Sequence, residues 1–394
     1  MSKEDPDSKN TGILSRRKIV KTTKLTLWRG KLNEIDQSIV DLLSKRLAVT
    51  KKIGQYKKRR QLPHFDLIRE KEVIARLQTQ TRNILLREKL PKLYHTIFSL
   101  VKEGYVLDNA PPIPFPKIGI IGLGLIGGSI VKTIKFQDPK ILIYSLRRKN
   151  TSKNKLIKAE LDKLEDLVKA VEIVILACPI DQVITYLRRI ARISKNLKKK
   201  LILMDVASVK GEIVREMEKL TDANTQCLAT HPMAGSEKSG FINATTALFT
   251  GKKWIICPHA KNDKTSLQKV KQFIASLGSE SLELEAQEHD KYLAYVSHLV
   301  FFLSTLLFSF VNDNQLEALQ LAGSGFISVT RLSSGNAVMH TQISQKNSIH
   351  LAKLIPHFST LLNSVDLNSP QLAVFFKNTK KKRDRFLQKL QTDL

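Results

Sequence analysis

The sequence is poor in cysteine and has neither a signal-like segment nor a long apolar run, and each shortage excludes a class of protein. Its three cysteines, Cys178, Cys227 and Cys257, lie far apart and outside any CxxC spacing, which argues against a disulfide framework and a cysteine-based zinc site. The apolar run at 299–311 is interrupted by polar residues and is too short to cross a bilayer, so it predicts a buried helix. The opening MSKEDPDSKN has early acids and no apolar core. We therefore expect a cytoplasmic protein that does not interact with membranes or hold a metal ion.

The composition is that of a globular protein with a large excess of positive charge. Hydrophobic residues make up 42% and charged residues 26% of the 394 residues, which excludes a mainly disordered chain and predicts two or three domains. The 65 Lys and Arg against 36 Asp and Glu leave a net charge of +29, which suggests nucleic-acid binding as one hypothesis. The basic runs at 57–60, 198–200 and 380–383 lack interleaved aromatic residues for base stacking. We therefore expect a solvated lysine-rich surface instead, which is compatible with anionic small substrates.

Proline marks the plainest division of the chain. Four of the 13 prolines lie between 111 and 116, a stretch that cannot continue a helix and acts as a stiff spacer. Helical periodicity precedes it, strands alternating with helices follow it, and the last part is helical again. The pattern predicts a multidomain fold: an all-α domain, an α/β domain with a doubly wound parallel sheet, then a second all-α domain. The predicted bounds are a tail over 1–21, helices over 22–108, a linker over 109–116, the α/β domain over 117–285 and helices over 286–394. The candidate strands after the linker are 141–145, 171–178, 201–206, 227–230 and 253–257.

The first helical domain carries cations on an apolar stripe. The stripe is formed by Leu32, Ile35, Ile39, Leu42, Val49 and Ile53. Arg46 falls on this stripe, and Lys57 lies eleven residues further on, about 20° around the helix. Buried cations are costly unless an anion is bound, although both could instead reach water or pair with Asp36 or Asp41. The segment beginning at Asp66 adds acids and another cation but no nucleophile, which favours binding of a dicarboxylate over covalent catalysis.

Six charged residues on one long helix and the helix after it resemble the all-helical chorismate mutase family over about residues 22–108. They are Arg29, Arg46, Lys57, Asp66, Arg69 and Glu70. The resemblance implies an intertwined helical dimer that rearranges chorismate to prephenate, a reaction that needs preorganised charge and a compact substrate conformer. It implies that Arg46, together with Arg29 from the partner chain, holds the substrate carboxylates. Lys57 would stabilise negative charge on the ether oxygen, and Asp66 and Glu70 would take the ring hydroxyl.

The same resemblance gives Arg69 the task of ordering the mutase site, and it has a departure near the end of the third helix. Where the family has a Ser and then a Gln or Glu, this sequence has Gly104 and Asp108. Asp108 would have to be protonated to donate a hydrogen bond to the ether oxygen. We therefore expect weak mutase activity, or activity favoured at low pH.

A glycine-rich turn begins the α/β domain. It follows an apolar strand, opens a helix and consists of Gly122, Leu123, Gly124, Leu125, Ile126 and Gly127. This context is typical of a dinucleotide (Rossmann) site, in which glycines let a pyrophosphate approach a helix N-terminus; a turn that only packs helix on strand is the alternative. The next strand ends in Arg147 and Arg148 with no acid nearby. This ending favours a 2′-phosphate, and so NADP over NAD, although the general excess of basic residues could also place arginines there.

Two polar segments follow later strands, where the strand ends of a doubly wound sheet face the cofactor. DVASVK contains Ser208, and HPMAGSEKSG contains His231 and Glu237. A histidine at such a strand end can take a proton from a hydroxyl as hydride leaves the same carbon. With GLGLIGGS and LFTGKKWI, these strings resemble the prephenate and arogenate dehydrogenase family over about residues 117–350. That resemblance implies oxidation of a ring hydroxyl by NAD(P) followed by loss of CO2.

The dehydrogenase resemblance also implies roles for individual residues. His231 would deprotonate the hydroxyl, Ser208 would contact substrate or nicotinamide, and Arg331 would bind a substrate carboxylate. Glu237 would belong to a gating ionic network, and His298 matches a Ser-His-Leu pattern among the catalytic residues. The family pattern also departs at four positions, which leave prephenate and arogenate both open as substrates. These are Val300, Phe301, Ser328 and His340, where the family has Pro, His, Asp and Trp.

The two resemblances together predict a bifunctional, homodimeric enzyme of tyrosine biosynthesis, since the first domain would make the prephenate that the second consumes. One alternative is an arogenate or prephenate dehydrogenase whose mutase-like domain is inactive or binds an effector. A more remote alternative, suggested by the +29 charge, is a nucleic-acid-binding protein.

Overall fold

The computed structural model describes residues 11–63, 66–147 and 154–392, and the side chains of helical residues from 24 to 390. The chain divides into two compact units, one up to Tyr105 and one from Val106 onward. Each unit is described by itself.

The first unit is built from helices. They are α1 (Thr11–Arg59), α2 (Leu67–Gln80) and α3 (Ile84–Asp108), the last of which continues into the second unit. The start of α2 is fixed by Asp66, whose side chain accepts a 2.8 Å hydrogen bond from the backbone N–H of Arg69. This is the usual way in which an aspartate satisfies an unpaired donor at a helix N-terminus.

The apolar stripe of α1, expected to be buried, is largely exposed in a single chain. Leu32 is 58% exposed, Ile35 55% and Leu42 64%. At 1.5 Å per residue, α1 is roughly 73 Å long and α3 roughly 37 Å, so α3 cannot cover all of it. Contiguous exposed apolar surface of this kind is typical of an interaction surface.

The second unit begins with an eight-stranded sheet in the order β3-β2-β1-β4-β5-β6-β7-β8. The strands are β1 (Lys117–Ile121), β2 (Leu142–Leu146), β3 (Ala159–Leu161), β4 (Ile173–Leu176), β5 (Leu201–Asp205), β6 (Thr225–Pro232), β7 (Lys253–Cys257) and β8 (Glu280–Glu283). The helices are α4 (Leu125–Gln137), α5 (Leu164–Ala170), α6 (Ile180–Ser194), α7 (Gly211–Leu220), α8 (Lys264–Ser276), α9 (Ala286–Leu293), α10 (Leu299–Asn314), α11 (Ser324–Thr330), α12 (Ala337–Lys346), α13 (Ser348–Asn363) and α14 (Leu372–Thr392).

The predicted doubly wound parallel sheet is confirmed, and it has one antiparallel pair near an edge. Strands β1 to β6 pair in parallel, but β7 runs antiparallel to β6. Strand β8 pairs in parallel with β7, so it also runs opposite to β1–β6. The segment between β6 and β7 contains only a short 3-10 turn, Phe241–Asn243. Without a crossover helix the chain returns alongside β6 in the opposite direction. The short strands β3 and β8 were not predicted because neither has a buried apolar face.

Helices cover both faces of the sheet because its central strands are apolar on both sides. Ile173 and Ile175 of β4 pack in a core with α4 and α8, and Val174 and Leu176 point into a second core with α5, α6 and α7. Successive side chains of a strand point to opposite faces, so one strand supplies both cores. The arrangement is the predicted doubly wound fold, with the polar segments at the carboxyl ends of β5 and β6.

The apolar run at 299–311 lies on α10, and a single chain does not provide the burial that we expect for it. Within this chain only Phe301 and Ser304 of α10 are buried, and Phe310 is 66% exposed. By length and composition alone, the continuous helical run Ala286–Asn314 could cross a membrane. Exposed apolar faces are equally typical of helices that pack against another subunit.

Candidate active site

The glycine-rich turn between β1 and α4 has two glycines that the fold itself requires. Gly122 has a φ of +104°, and a Cβ on it would lie 2.3 Å from the carbonyl oxygen of Ala177. A Cβ on Gly127 would lie 2.0 Å from the carbonyl oxygen of Gly122. Gly124 differs, because a Cβ there would meet nothing within 4 Å although Gly124 is the N-cap of α4. Open space at the start of this helix fits the pyrophosphate of a dinucleotide.

The other residues of this turn hold it against the sheet. Leu123 and Ile126 are partly buried against the core formed with α4 and α8, and Leu125 is the first residue of α4. These apolar side chains anchor the turn, which leaves its backbone to face a ligand.

The end of β2 carries an ion pair that the sequence pattern did not reveal. Arg147 lies 3.2 Å from Asp162 through Nη1, and its Nη2 donates to the backbone carbonyl of Glu160 at 3.3 Å. No acid closely follows β2 in the sequence, but β3 pairs with β2, and this pairing brings Asp162 next to Arg147. Arg148 lies outside the described residues.

A line of three side chains stands at the carboxyl end of β6. His231 is partly buried, and its Nδ1 lies 3.0 Å from Nε2 of His289. Nδ1 of His289 lies 2.8 Å from Oδ1 of Asp290. The Asp290 carboxylate also accepts backbone N–H bonds from Lys210 and Gly211, each of 2.7 Å. His231 belongs to the sheet, whereas His289 and Asp290 belong to α9.

The surroundings of these groups keep both histidines neutral and the carboxyl ionised. Burial lowers the pKa of His231 well below its ordinary value, and the neighbouring His289, Lys210 and His298 lower it further. Burial likewise lowers the pKa of His289 against the opposing effect of its bond to Asp290. Burial alone would raise the pKa of Asp290, but its hydrogen bonds from His289, Lys210 and Gly211 outweigh that effect and lower it.

A buried ion pair ties together the strand ends beneath His231. Lys210 and Asp205 are both fully buried and in contact, and Nζ of Lys210 also donates to the carbonyl of Thr230 at 2.7 Å. The hydroxyl of Thr230 donates to the carbonyl of Asp205 at 2.6 Å. Ser208 is half-buried on the loop that this pair closes. The network therefore fixes β5, β6 and the Ser208 loop relative to one another.

His298 lies on a π-helical turn, Ala294–His298, and joins the same network through Asn347. The Nδ2 atom of Asn347 donates to the carbonyl of Asp290 at 2.8 Å and lies 2.9 Å from Nδ1 of His298. Burial lowers the pKa of His298 to about 4. Its Nε2 is buried with no hydrogen-bond partner in the described part of the chain. Because Asn347 donates to Nδ1, the hydrogen of this neutral ring lies on the unpartnered Nε2.

Arg331 and Glu237 meet across a cleft in the helical part of the second unit. Nη1 of Arg331 lies 2.7 Å from Oε2 of Glu237, and both residues line a cavity of about 780 Å³ formed with α10 and α11. Hydrogen bonds from its own backbone and from Arg331 lower the pKa of Glu237. The cleft therefore offers a cation that is already held by a carboxylate.

Arg46 is the unusual cation of the first unit. Its guanidinium carbon lies 5.3 Å from the ring centroid of Phe98 and 5.9 Å from that of Tyr94, so the side chain packs between α1 and α3. Its Nη1 is buried and has no hydrogen-bond partner among the described residues. An unsatisfied buried guanidinium donor costs free energy that an anion would recover.

The other residues predicted for the first site are spread along the three helices. Glu70 pairs with Lys102 of α3 at 3.1 Å, and Lys57 of α1 is half-buried. Arg69 pairs with Glu72 at 3.0 Å on an exposed surface. Arg29 is exposed on α1, Asp66 caps α2, and Asp108 is the exposed last residue of α3.

Sequence reasoning assigned no role to four side chains that the structure places at these sites. They are Asp290, His289, Asn347 and Lys102. The adjacent His-Asp pair at the start of α9 was a local signal, but the contacts of Asn347 and Lys102 come from distant parts of the chain. The roles assigned to the predicted residues stay predictions.

Three segments of the chain match known family descriptions. Residues 28–104 match "Chorismate mutase type II", residues 132–283 match "Prephenate dehydrogenase, nucleotide-binding domain", and residues 285–391 match "Prephenate dehydrogenase, dimerization domain". The segments follow one another in the order of the three predicted domains.

Similar proteins agree with these matches. A prephenate dehydrogenase of Lactococcus lactis is 31% identical over 279 residues, covering 68% of this chain and 76% of that protein. The T-protein of Enterobacter agglomerans is 24% identical over 285 residues, covering 70% and 68%. The crystal structure of prephenate dehydrogenase from A. aeolicus with hydroxyphenyl propionate and NAD+ has a TM-score of 0.61 at 26% identity, covering 68% and 98%. Synechocystis arogenate dehydrogenase has a TM-score of 0.53 at 25% identity, covering 70% and 98%.

Proposed function

The chain belongs to the prephenate dehydrogenase family, and from this premise we infer how its own residues divide two reactions. It is a bifunctional enzyme of tyrosine biosynthesis. The chorismate mutase domain rearranges chorismate to prephenate, and the dehydrogenase part uses NAD(P) to convert prephenate to 4-hydroxyphenylpyruvate and CO2. The match to a dimerization domain supports a homodimer.

We propose that His231 is the base of the dehydrogenase. When bound, the nicotinamide cofactor accepts a hydride from the ring carbon that carries the hydroxyl. His231 takes the hydroxyl proton, and its lowered pKa keeps the ring neutral and able to accept that proton. Ser208, fixed by the buried Lys210–Asp205 pair, contacts substrate or nicotinamide. Loss of CO2 then yields an aromatic ring, so the protein supplies mainly orientation and one base.

In this proposal Arg331 anchors a substrate carboxylate, and Glu237 holds the Arg331 guanidinium in place until substrate arrives. The observed 2.7 Å pair keeps the guanidinium in the cleft, ordered and partly neutralised. A substrate carboxylate that binds Arg331 competes with Glu237 for the same donors. The exchange would gate the cleft, since Glu237 is released only when another anion takes its place.

Arg46 provides the strongest support for the mutase assignment. Its buried Nη1, which has no partner within residues 11–63, 66–147 and 154–392, is suited to a substrate carboxylate. Glu70, ordered by Lys102, is available for the ring hydroxyl. Arg29 lies 17 residues before Arg46 on the same helix, roughly 25 Å away. Arg29 therefore reaches a substrate beside Arg46 only from a second copy of the chain, and the exposed stripe of α1 suits such pairing.

One experiment tests both activities together. Purified protein is given chorismate and NAD(P), and reduced nicotinamide and 4-hydroxyphenylpyruvate are followed. Formation of 4-hydroxyphenylpyruvate from chorismate requires both activities. We expect this protein to form it without any added enzyme. Turnover of prephenate but not chorismate, at every pH tested, would leave a dehydrogenase with an inactive mutase domain. Turnover of arogenate instead of prephenate would overturn the assignment of the dehydrogenase substrate.

We propose that the enzyme prefers NADP. Arg147 stands at the end of β2, where a ribose 2′-phosphate is recognised in this fold. In the structure this cation is shared with Asp162. The Arg147→Ala variant should therefore lose about tenfold in kcat/KM for NADP and little for NAD. Asp162→Asn is the matched variant: by freeing Arg147 it should raise the preference for NADP. Equal effects of Arg147→Ala on both cofactors would contradict the proposal.

Two glycine variants separate folding from cofactor binding. Gly122→Ala places a Cβ against a carbonyl at a positive φ, so it should lower Tm and the yield of folded protein. The new Cβ of Gly124→Ala meets no atom of the described residues within 4 Å, so this variant should leave Tm unchanged while it weakens NAD(P) binding. Thermal melts and cofactor titrations measure the two effects. Unimpaired cofactor binding by Gly124→Ala would place the pyrophosphate elsewhere.

We also propose a cytoplasmic location. The three cysteines, Cys178, Cys227 and Cys257, are free thiols in the structure, as is usual in a reducing compartment.

A further inference from the structure

The line His231–His289–Asp290 carries an inference that goes beyond the choice of His231 as base. The Asp290 carboxylate accepts three hydrogen bonds, from Nδ1 of His289 and from the backbone N–H groups of Lys210 and Gly211. A carboxylate with three donors directed at it remains ionised and can only accept. The hydrogen of a neutral His289 ring therefore lies on Nδ1.

The position of the hydrogen on His289 determines which nitrogen of His231 carries a hydrogen. With its hydrogen on Nδ1, neutral His289 presents a lone pair on Nε2. Nδ1 of His231, 3.0 Å away, must then be the donor of the bond between the two rings. The hydrogen of His231 thus lies on Nδ1, and its second nitrogen, Nε2, carries the free lone pair.

We propose that Asp290 and His289 are positioning residues that set the tautomer and ring orientation of His231, so that Nε2 of His231 receives the substrate proton. This inference rests on the proposed role of His231. Neither residue touches the substrate in this proposal: both act through His231. The arrangement resembles in logic the way an aspartate fixes a catalytic histidine in a serine protease, with a second imidazole inserted between them.

Each bond is accounted for in the proposed step. The substrate O–H bond breaks and its proton joins Nε2 of His231. The C–H bond of the ring carbon that carries this oxygen breaks as well, its hydride goes to NAD(P), and the C=O bond forms. His231 becomes an imidazolium, still donating Nδ1–H to His289. The charge of Asp290 lies two hydrogen bonds away and favours this cation, which burial and the nearby Lys210 disfavour.

The charged and titratable groups around His231 come from several elements. Asp205 and Lys210 approach from the end of β5, His289 and Asp290 from α9, and His298 from the π-helical turn. Replacement of His289 changes the group bonded to His231 and leaves the Asp205–Lys210 pair in place. A change in the pH profile of such a variant can therefore be assigned to the line itself.

The test compares two substitutions of the buried His289. His289→Leu removes the acceptor for Nδ1–H of His231, and His289→Gln offers an amide oxygen in its place. We expect His289→Leu to lower the dehydrogenase kcat by about 100-fold, within the range that a positioned general base contributes, with KM for prephenate and affinity for NAD(P) little changed. His289→Gln should recover a large part of the loss. In the pH profile of kcat/KM, the apparent pKa of the acidic limb should differ between His289→Leu and the wild-type enzyme. A purely structural defect would not change this apparent pKa.

A second measurement does not depend on any variant folding. Heteronuclear NMR of the imidazole nitrogens of the wild-type enzyme reports directly which nitrogen of His231 and of His289 is protonated. We expect hydrogen on Nδ1 in both rings at neutral pH. Hydrogen on Nε2 of His231 would overturn the proposal, as would wild-type kcat in a folded His289→Leu enzyme.

The proposed base and its positioning residues fail in different ways. If His231→Asn is inactive while His289→Leu retains full activity, His231 remains the base and the positioning proposal is wrong. If His231→Asn retains full activity, the assignment of the base is itself wrong, whatever the tautomers show.

Discussion

His231→Asn should lower the dehydrogenase kcat by about 10³-fold, the range expected for loss of a general base. The asparagine keeps a polar side chain at the end of β6 but has no nitrogen lone pair to accept the hydroxyl proton. His231 is suited to that task because burial lowers its pKa, so that the ring is neutral near pH 7. The measurement is the rate of nicotinamide reduction with saturating prephenate.

The same His231→Asn protein supplies its own control. His231 belongs to the second unit, so chorismate turnover in the first unit should be unchanged. Affinity for NAD(P) should also persist, because the glycine-rich turn is intact. A kcat within a few-fold of wild type would show that another group, or water, removes the proton.

Arg46→Ala should lower the mutase kcat by about 10² to 10³-fold, as expected when a preorganised charge is removed from a transition-state site. The guanidinium packs on Phe98, and it has a buried donor with no hydrogen-bond partner in the part of the chain that the structure describes. Removing it leaves the substrate carboxylate without its main anchor. Loss of chorismate consumption, measured by prephenate formation, checks the expectation.

Arg46→Lys is the matched variant for this prediction. It keeps a positive charge but loses the planar fork that binds a carboxylate through two bonds, so intermediate activity is expected. Dehydrogenase activity on added prephenate should remain at the wild-type level in both variants. Full mutase activity in Arg46→Ala would show that Arg46 is not part of the mutase site.

Local chemistry explains which parts of the fold and site could be predicted from the sequence. The glycine-rich turn was predictable because the positive φ of Gly122 and the close approach of Gly127 to the Gly122 carbonyl arise within the turn itself. His231 was predictable because strand ends of a doubly wound sheet converge on the ligand. In both cases the signal lies in a short segment.

Contacts between distant segments account for most of what was missed. Asp162 reaches Arg147 through the pairing of two strands, and His289 reaches His231 across 58 residues. The direction of β7 depended on the lack of a helix in the preceding loop. The sequence shows directly that the stripe of α1 and the run on α10 are apolar and need to be covered. Periodicity cannot tell whether the surface that covers them belongs to the same chain or to another.

The bond between His231 and His289 joins a strand of the nucleotide-binding fold to the first helix of the following domain. A hydrogen bond of 3.0 Å between the rings is lost once they separate by about another 0.6 Å. A displacement of α9 from the sheet by this distance would therefore remove the bond that orients His231. In our proposal His231 is fully effective as a base only while this bond is intact, so proton transfer depends on α9 staying against the sheet.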